Sequence, residues 1–233
     1  SILTLLIYLF FSIAGVRLFN GLNLSMTLIS TGGFLPTNTL SQIIKTNFQE
    51  IILIFSFLIS LLNIYLIFNI FKKKNFLTLH HEDGAIISLV FVISLLFTII
   101  LKDSSFIANL INVLSSIGSS GISNYPIPKN FSLFFLTLTI IGGSIISTGS
   151  GIKFLRIYIL LKATTIEIFK LVKPNNIVNQ KIFFSNNNIE INLVKLSFLV
   201  FISFFLSLFA LSSILLFDNL NFEDSFKLSI LTL

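Results

Sequence analysis

The feature that most constrains this sequence is a series of long apolar runs with charged residues only at their ends. The run from Ile51 to Phe71 can cross about 30 Å of hydrocarbon at about 1.5 Å per residue, and Lys72-Lys73-Lys74 end it. Ala85 to Leu101 and Leu193 to Phe217 are similar runs. Only 10% of the residues are charged, against about a quarter in a typical soluble domain. The sequence therefore predicts an all-α membrane protein that crosses the bilayer several times.

The remaining apolar runs complete the predicted layout. They are Ser1 to Phe19, Phe131 to Ile146, and Ile152 to Val172, the last a helix that carries basic residues. The chain opens within one apolar run and closes within another, Phe226 to Leu233, so we expect it to be a piece of a longer protein. It has no cysteine, which excludes disulfides, thiolate metal sites and cysteine nucleophiles from this chain.

Two shorter apolar segments lie between the long runs, and a turn that contains glycine follows each of them. Leu22 to Ile29 precedes the turn from Ser30 to Phe34, and Ile107 to Ile117 precedes the turn from Gly118 to Ile122. Segments this short cannot cross a bilayer, and irregular backbone at membrane depth is stable only inside protein or along a wet cavity. We expect both to be re-entrant helices that enter and leave on the same face.

The order of long run, short helix, glycine-bearing turn and long run occurs twice, from Ser1 to Phe71 and from Ala85 to Ile146. The alignment that places Gly33 on Gly121 also aligns two aliphatic residues with identical ones. A third copy begins at Leu193. The sequence therefore predicts repeated units, each with two spanning helices around one short helix.

Basic residues indicate which face of the membrane is cytoplasmic. If the short helices enter from outside, the inner connections hold Lys72, Lys73, Lys74, Lys162, Lys170, Lys173 and Lys181. The outer side holds Arg17, Lys45, Lys102 and Lys129, with Lys227 near it. Lys153, Arg156 and Lys195 at inner helix ends increase the excess. We therefore attribute the net charge of +6 to cytoplasmic loops and expect no nucleic-acid partner.

The two glycine-bearing turns have the composition of a cation-coordinating backbone. A dehydrated potassium ion needs a ring of oxygens in place of its water shell, and successive carbonyl groups supply one where glycine allows the required φ and ψ angles. The C-terminal end of each short helix would also direct its negative dipole toward the ion. Two turns cannot surround an ion, so we expect a ring of four. The alternative is that Gly33 and Gly121 are ordinary turn glycines.

A third segment rich in small residues interrupts the run that begins at Phe131. It contains Gly142, Gly143, Ser144, Ser147, Thr148, Gly149, Ser150 and Gly151. Each glycine costs about 1 kcal/mol of helix stability relative to alanine, and the hydroxyls compete for backbone groups. We expect a helix break whose loop crosses a cavity as a gate, although close helix packing could use the same residues. The segment is not a phosphate-binding loop, because Lys153 follows Ile152 and no Ser or Thr follows it.

Other charged residues leave several alternatives open. Lys153 and Arg156 either extend to the lipid headgroups or regulate passage and dock a cytosolic subunit. The segment from His80 to Asp83 suggests a metal, but adjacent residues rarely face one ion, so we interpret it as a solvated helix start. We attribute Asn63 within its run to helix packing. We expect no enzymatic activity and no proton-binding acid in the spans. A secondary transporter with broken helices is the competing function, and a structural membrane subunit is a weaker one.

The residues resemble a known family. Ser30-Thr31-Gly32-Gly33-Phe34 resembles the second selectivity filter of Trk/Ktr/HKT-type potassium transporters, in particular the bacterial Trk membrane subunit. The stretch from Gly142 to Arg156 is similar to the broken helix after that family's third filter, and Leu171 to Asn175 resembles the start of its linker to the fourth repeat. The resemblance covers essentially the whole chain in order.

The resemblance implies four membrane–pore–membrane units per protein, a homodimer in the bacterial inner membrane, and a cytosolic nucleotide-binding regulatory subunit. It implies that residues 1–73 form the second unit, 74–175 the third with its broken helix, and 176–233 the linker and start of the fourth. Potassium is the transported ion, and no cofactor is implied. The implied filter residues are Ser30, Thr31, Gly32, Gly33, Phe34, Gly118, Ser119, Ser120, Gly121 and Ile122. The implied gate comprises Gly142, Gly143, Ser147, Thr148, Gly149, Ser150, Gly151, Lys153 and Arg156.

The third filter departs from the family's pattern. Ser119-Ser120-Gly121-Ile122 stands where Thr-Thr-Gly-Phe is usual. Serine keeps the hydroxyl and the carbonyl, so passage of an ion is expected, while strict selectivity for potassium over sodium is not implied.

Overall fold

The structure is a computed structural model that describes residues 2–37, 39–66, 81–101, 104–125, 131–172, 189–218 and 220–233. The described residues form α-helices and one 3₁₀ turn at Leu40–Gln42, and none of them lies in a β-strand. The helices are α1 (Ile2–Ile13), α2 (Leu18–Ser30), α3 (Asn47–Leu61), α4 (His81–Ile100), α5 (Phe106–Ile117), α6 (Ser132–Ile141), α7 (Phe154–Val172), α8 (Ile191–Phe217) and α9 (Phe222–Thr232). The expected all-α class is confirmed.

The first three helices pack against one another around the short α2. The predicted run from Ser1 to Phe19 is divided, because the chain turns at Gly15 with a φ of 76° and α2 starts at Leu18. Helix α3 begins with a capping box between Thr46 and Gln49. The Gln49 Nε2 atom also donates to the Ala14 carbonyl oxygen at 3.0 Å, which fixes the start of α3 against the turn after α1.

Helices α4, α5 and α6 repeat this arrangement around α5. The Ser105 hydroxyl caps α5 by accepting from the Ala108 amide, and α5 packs against α3, α4 and α6. From Ala108 to Ile117 all residues but Leu110 are buried. Phe97 of α4 stacks on Phe135 of α6, with ring centroids 5.1 Å apart. Helix α5 is therefore the most enclosed element of the described chain.

Two of the predicted spans end earlier than the sequence suggested. Helix α3 ends at Leu61 and not at Phe71, because the chain breaks at Leu62 and Asn63 before a further helical turn begins at residue 64. Helix α6 ends at Ile141 and not at Ile146. The predictions for α4 and α8 are accurate to within four residues at each end.

By length and hydropathy, two helices of the described chain could cross a membrane alone, α4 with 20 residues and α8 with 27. The lysines expected in the first inner connection, and those at positions 102, 129, 173 and 181, lie outside the described residues.

Candidate functional site

The turn after α2 has a left-handed residue at its start. Thr31 adopts φ 54° and ψ 30°, and its amide and that of Gly32 both donate to the Thr27 carbonyl oxygen. The Thr31 hydroxyl donates to the Ser30 carbonyl oxygen at 2.7 Å. Gly33 follows with a φ of 71°. These bonds close the helix with the pattern common at helix ends where a left-handed residue follows the last turn.

The turn after α5 has similar geometry in the register that places Gly33 on Gly121, although the Ser119 amide donates to the Ser116 carbonyl oxygen and not to that of Ser115. Ser119 has a φ of 52° and Gly121 a φ of 64°. The Ser120 amide donates to the Ser115 carbonyl oxygen at 3.0 Å, as the Gly32 amide does to that of Thr27 at 3.1 Å. The Ser119 hydroxyl donates to the Gly118 carbonyl oxygen at 2.7 Å. The repeat suggested by a few identities is thus a repeat of local geometry.

Both turns alternate the sign of φ. Thr31 and Gly33 are left-handed and Gly32 between them is not, while Ser119 and Gly121 are left-handed and Ser120 is not. Glycine at positions 33 and 121 lets both turns adopt this alternation with less strain than a residue with a side chain would cause.

The structure brings the two turns together. A methyl group at the Cβ position of Gly33 would lie 2.5 Å from the Ser120 carbonyl oxygen, so only glycine allows this approach. A Cβ atom at Gly121 would meet no other described atom within 4 Å, so that glycine faces open space. Glycine is thus needed at position 33 both for the left-handed φ and for the close contact. At position 121 it is needed only for the left-handed φ.

The turns differ in the surroundings of equivalent side chains. The Ser115 and Ser120 hydroxyls lie 3.1 Å apart and share a hydrogen bond, whereas Gly32 stands at the position equivalent to Ser120. The buried Thr27 hydroxyl, equivalent to that of Ser115, consequently has no hydrogen-bond partner among the described residues. At the next equivalent pair, Phe34 is 82% exposed and Ile122 is 2% exposed.

Beyond the second turn the chain binds to the start of α3. The Asn124 amide donates to Glu50 Oε1 at 3.0 Å and the Tyr125 hydroxyl donates to the same oxygen at 2.8 Å. This hydrogen bond raises the pKa of Tyr125, with a smaller contribution from burial, so the phenol stays a donor at neutral pH. Glu50, in the first turn of α3, therefore links the residues after the second turn to α3.

The chain breaks after α6 and forms a closed loop from Gly142 to Gly151. Gly142 has a φ of 70° and lies directly against the Ser150 carbonyl oxygen, and Gly151 has a φ of 90°. The ends of the loop bond to each other, because the Ile152 amide donates to the Ile140 carbonyl at 3.0 Å and the Phe154 amide to that of Gly143 at 3.1 Å. The predicted helix break is present.

The loop lies between the second turn and the broken end of α3. On one side, the Ser150 amide donates to the Ser119 hydroxyl at 3.1 Å. On the other, the Ser144 amide donates to the Leu61 carbonyl oxygen at 3.1 Å, and the Thr148 amide and hydroxyl both donate to that of Ser60. The carbonyl groups that α3 leaves open at its end are thus bonded by the loop.

Lys153 folds back onto the loop. Its φ of 80° is unusual for a residue with a side chain. Its Nζ atom contacts the Ser147 hydroxyl at 3.1 Å and carbonyl oxygen at 3.3 Å, and also contacts the Gly149 carbonyl oxygen. The side chain therefore lies against the loop. Arg156 lies in the first turn of α7.

Two carboxyl groups at the start of α4 accept hydrogen bonds from backbone amides at the helix breaks. The sequence did not predict these bonds. Asp83 Oδ1 accepts from the Asn63 amide at 2.9 Å, and Glu82 Oε1 accepts from the Ile145 amide at 3.0 Å. Asn63 also accepts from the Tyr65 amide, so it caps a helical turn, and its interpretation as a packing residue is wrong. The interpretation of the segment from His80 to Asp83 as a solvated helix start is wrong for Asp83, which is 1% exposed.

The space around Gly33 and Gly121 gives a first test. Gly121→Ala should lower the free energy of unfolding by about 1 to 2 kcal/mol, the cost of a left-handed non-glycine residue. Gly33→Ala adds the collision with the Ser120 carbonyl, so it should cost clearly more. Thermal unfolding of both purified variants in one detergent measures the difference, and equal costs would contradict the close approach of the turns.

The unpaired Thr27 hydroxyl gives a second test. Thr27→Val removes a buried donor without a partner, so stability should be unchanged or up to about 1 kcal/mol higher. Ser115→Ala, the equivalent position, breaks a bond and should cost about 1 kcal/mol. Thermal unfolding of the two variants measures this difference in stability. A Thr27→Val variant as unstable as Ser115→Ala would show that the Thr27 hydroxyl has a hydrogen-bond partner.

Comparison with known proteins agrees with this geometry, although no family model matches the chain. The chain is 27% identical over 232 residues to an uncharacterized cation transporter of Methanocaldococcus jannaschii, covering 95% of this chain and 46% of that protein. The crystal structure of the potassium transporter TrkH from Vibrio parahaemolyticus superposes with a TM-score of 0.84 at 22% identity, covering 96% of this chain and 51% of TrkH. The chain thus spans about half the length of both proteins. It has the fold of a Trk-type potassium transporter.

Proposed function

We propose that this chain forms part of the conduction path of a potassium uptake protein. The observation that carries the proposal is the contact between two turns of one geometry, with Gly33 against the Ser120 carbonyl. Main-chain carbonyls of Thr31 to Phe34 and of Ser119 to Ile122 would supply half of a coordinating ring. The names of the two similar proteins, a cation transporter and a potassium transporter, support this choice of substrate.

The units of the proposed transporter follow from the helices. Helices α2 and α5, with 13 and 12 residues, are too short to cross about 30 Å of hydrocarbon and would be re-entrant pore helices. Residues 1–73 would form one membrane–pore–membrane unit and 74–175 the next, with its second helix divided into α6 and α7. Residues 176–233 would be a linker and the start of another unit, with α9 as its pore helix. The two remaining turns of the ring would come from outside this chain.

The loop from Gly142 to Gly151 would act as the gate. It contacts the second turn through the bond from the Ser150 amide to the Ser119 hydroxyl, and a Cβ atom at Gly149 would lie 3.6 Å from the Gly118 carbonyl oxygen. A loop in that position blocks a path along the axis of the turns. Its glycines permit a second conformation, because their backbone freedom does not depend on side-chain packing.

The setting of the protein completes the proposal. The full protein would be a multi-pass homodimer of the inner membrane, regulated by a cytosolic nucleotide-binding subunit, and it would carry K⁺ without a cofactor. Ser119 and Ser120 keep the hydroxyl and carbonyl groups that threonine would supply, so the proposal includes ion passage but not strict selectivity for potassium over sodium. Transport and not enzymatic chemistry is the function that these backbone dipoles serve.

Uptake measurements test the filter. In cells that lack other potassium uptake systems, the full-length protein should take up rubidium, and excess potassium should compete better than sodium. Gly121→Ser should reduce uptake or this discrimination at least about tenfold, since the strained residue displaces the adjoining carbonyls. Gly15→Ser is the matched control, because Gly15 has a φ of 76° with no described atom within 4 Å of a Cβ and lies outside the filter. Equal effects of the two substitutions would refute the filter assignment.

The contacts of Lys153 test the gate. Lys153→Met removes the ammonium group that contacts three oxygens of the loop, so basal flux in proteoliposomes without a cytosolic subunit should rise about tenfold. Lys170→Met, which removes a more exposed lysine of α7 that pairs with Glu167, should leave the flux unchanged. A Lys153→Met flux equal to wild type would show that the ammonium group does not hold the loop closed.

A further inference from the structure

We propose that Glu82 is a positioning residue that ties the gate loop to the start of α4. The inference rests on the proposed function of the loop and names the contact that holds the loop in place. Glu82 Oε1 accepts a hydrogen bond from the Ile145 amide at 3.0 Å. One side chain of α4 therefore contacts the loop.

The position of Ile145 makes this contact important for the loop. Ile145 and Ile146 are 39% and 44% exposed, whereas the loop residues from Gly142 to Ser144 are buried. Side-chain packing therefore fixes the middle of the loop less firmly than its start. The Glu82 carboxyl group adds a hydrogen bond to the Ile145 amide there, beside the bond that the Ile64 amide donates to the Ile146 carbonyl oxygen at 3.2 Å.

Glu82 differs in kind from Lys153. Lys153 directly follows the loop and contacts the carbonyl groups of Ser147 and Gly149, so it stabilises the shape of the loop but moves with it. Glu82 belongs to a different helix, 63 residues away along the chain from Ile145. Its bond therefore fixes the loop relative to the rest of the protein, which is what blocking a path requires.

The neighbouring carboxyl group fixes Glu82 itself. Asp83 is 1% exposed and accepts from the Asn63 amide at 2.9 Å, at the point where α3 is broken. The first turn of α4 thus connects the break after α3 to the break after α6. A displacement of this turn away from α3 would release the loop. Movement of the start of α4 would therefore be transmitted to the gate.

Flux through the full-length protein in proteoliposomes tests the inference. Glu82→Ala should raise basal rubidium flux about tenfold, because it removes the acceptor for the Ile145 amide. Glu82→Gln keeps an acceptor oxygen and should raise the flux less. Glu167→Ala, an exposed carboxyl group on α7, is the control and should match wild type. A Glu82→Ala flux equal to wild type, with the protein folded as judged by gel filtration, overturns the inference.

A thiol reporter separates this inference from the function itself. Ser144 is fully buried and its hydroxyl has no partner among the described residues, so Ser144→Cys sacrifices no hydrogen bond. The chain has no other cysteine to react. A water-soluble methanethiosulfonate should modify the thiol faster in the Glu82→Ala and Glu82→Gln backgrounds than in the Glu167→Ala background.

The two measurements together assign each outcome. Faster modification with higher flux supports both the tether and the gate. Faster modification with unchanged or lower flux supports the tether but contradicts the gate. Unchanged modification overturns the tether, whatever the flux. If the unsubstituted protein carries no rubidium, the proposed function fails, and the modification rate still decides whether Glu82 holds the loop.

Discussion

The contact of Gly33 with the Ser120 carbonyl group is the constraint on which the arrangement of the two units depends. Helices α2 and α5 end in the same left-handed turn, and their turns meet backbone to backbone without side chains between them. Such an approach leaves no room for a Cβ atom on one side. The left-handed positions of both turns are strained for any residue but glycine. The surrounding helices must therefore hold these two turns in contact. The burial of nearly all of α5 provides that support.

The breaks in the long helices obey a second constraint, the pairing of backbone groups away from water. In a bilayer an unpaired amide or carbonyl costs several kcal/mol, so a helix cannot simply stop there. The break after α3 leaves the carbonyls of Ser60 and Leu61 open, and the loop after α6 leaves its amides open. The two breaks bond to each other. Two further amides, those of Asn63 and Ile145, donate to the carboxyl groups of α4. One set of contacts thus pairs backbone groups of both breaks with each other and with α4.

The sequence predicted the parts of this structure that depend on local composition. Apolar length identified α4 and α8, and the glycines identified both turns and the loop, because left-handed backbone and helix breaks are properties of a few adjacent residues. The break at Leu62 was missed, because Asn63 is a single polar residue within a long apolar run and does not by itself indicate the end of a helix. The hydrogen bonds of Asp83 and Glu82 were missed because each joins residues far apart in the sequence. Asp83 lies 20 residues from Asn63, and Glu82 lies 63 residues from Ile145. The available signal was a pair of carboxyl groups at the start of an apolar helix, close to where Asn63 interrupts another.

The differences between the two turns indicate how such a site departs from symmetry. Both keep a backbone bond that shapes the turn and the bond from the hydroxyl of Thr31 or Ser119 to the preceding carbonyl. They differ one residue later, where Ser120 pairs with Ser115 while Gly32 leaves Thr27 unpaired. A serine at position 32 would place a side chain on the turn that carries the close approach of Gly33, where a Cβ atom would already lie 3.2 Å from the Ser30 hydroxyl oxygen. The backbone that would face an ion is therefore the same in both units. The side chains next to this backbone differ, because only the turn after α2 must leave room for the Ser120 carbonyl group of the other turn.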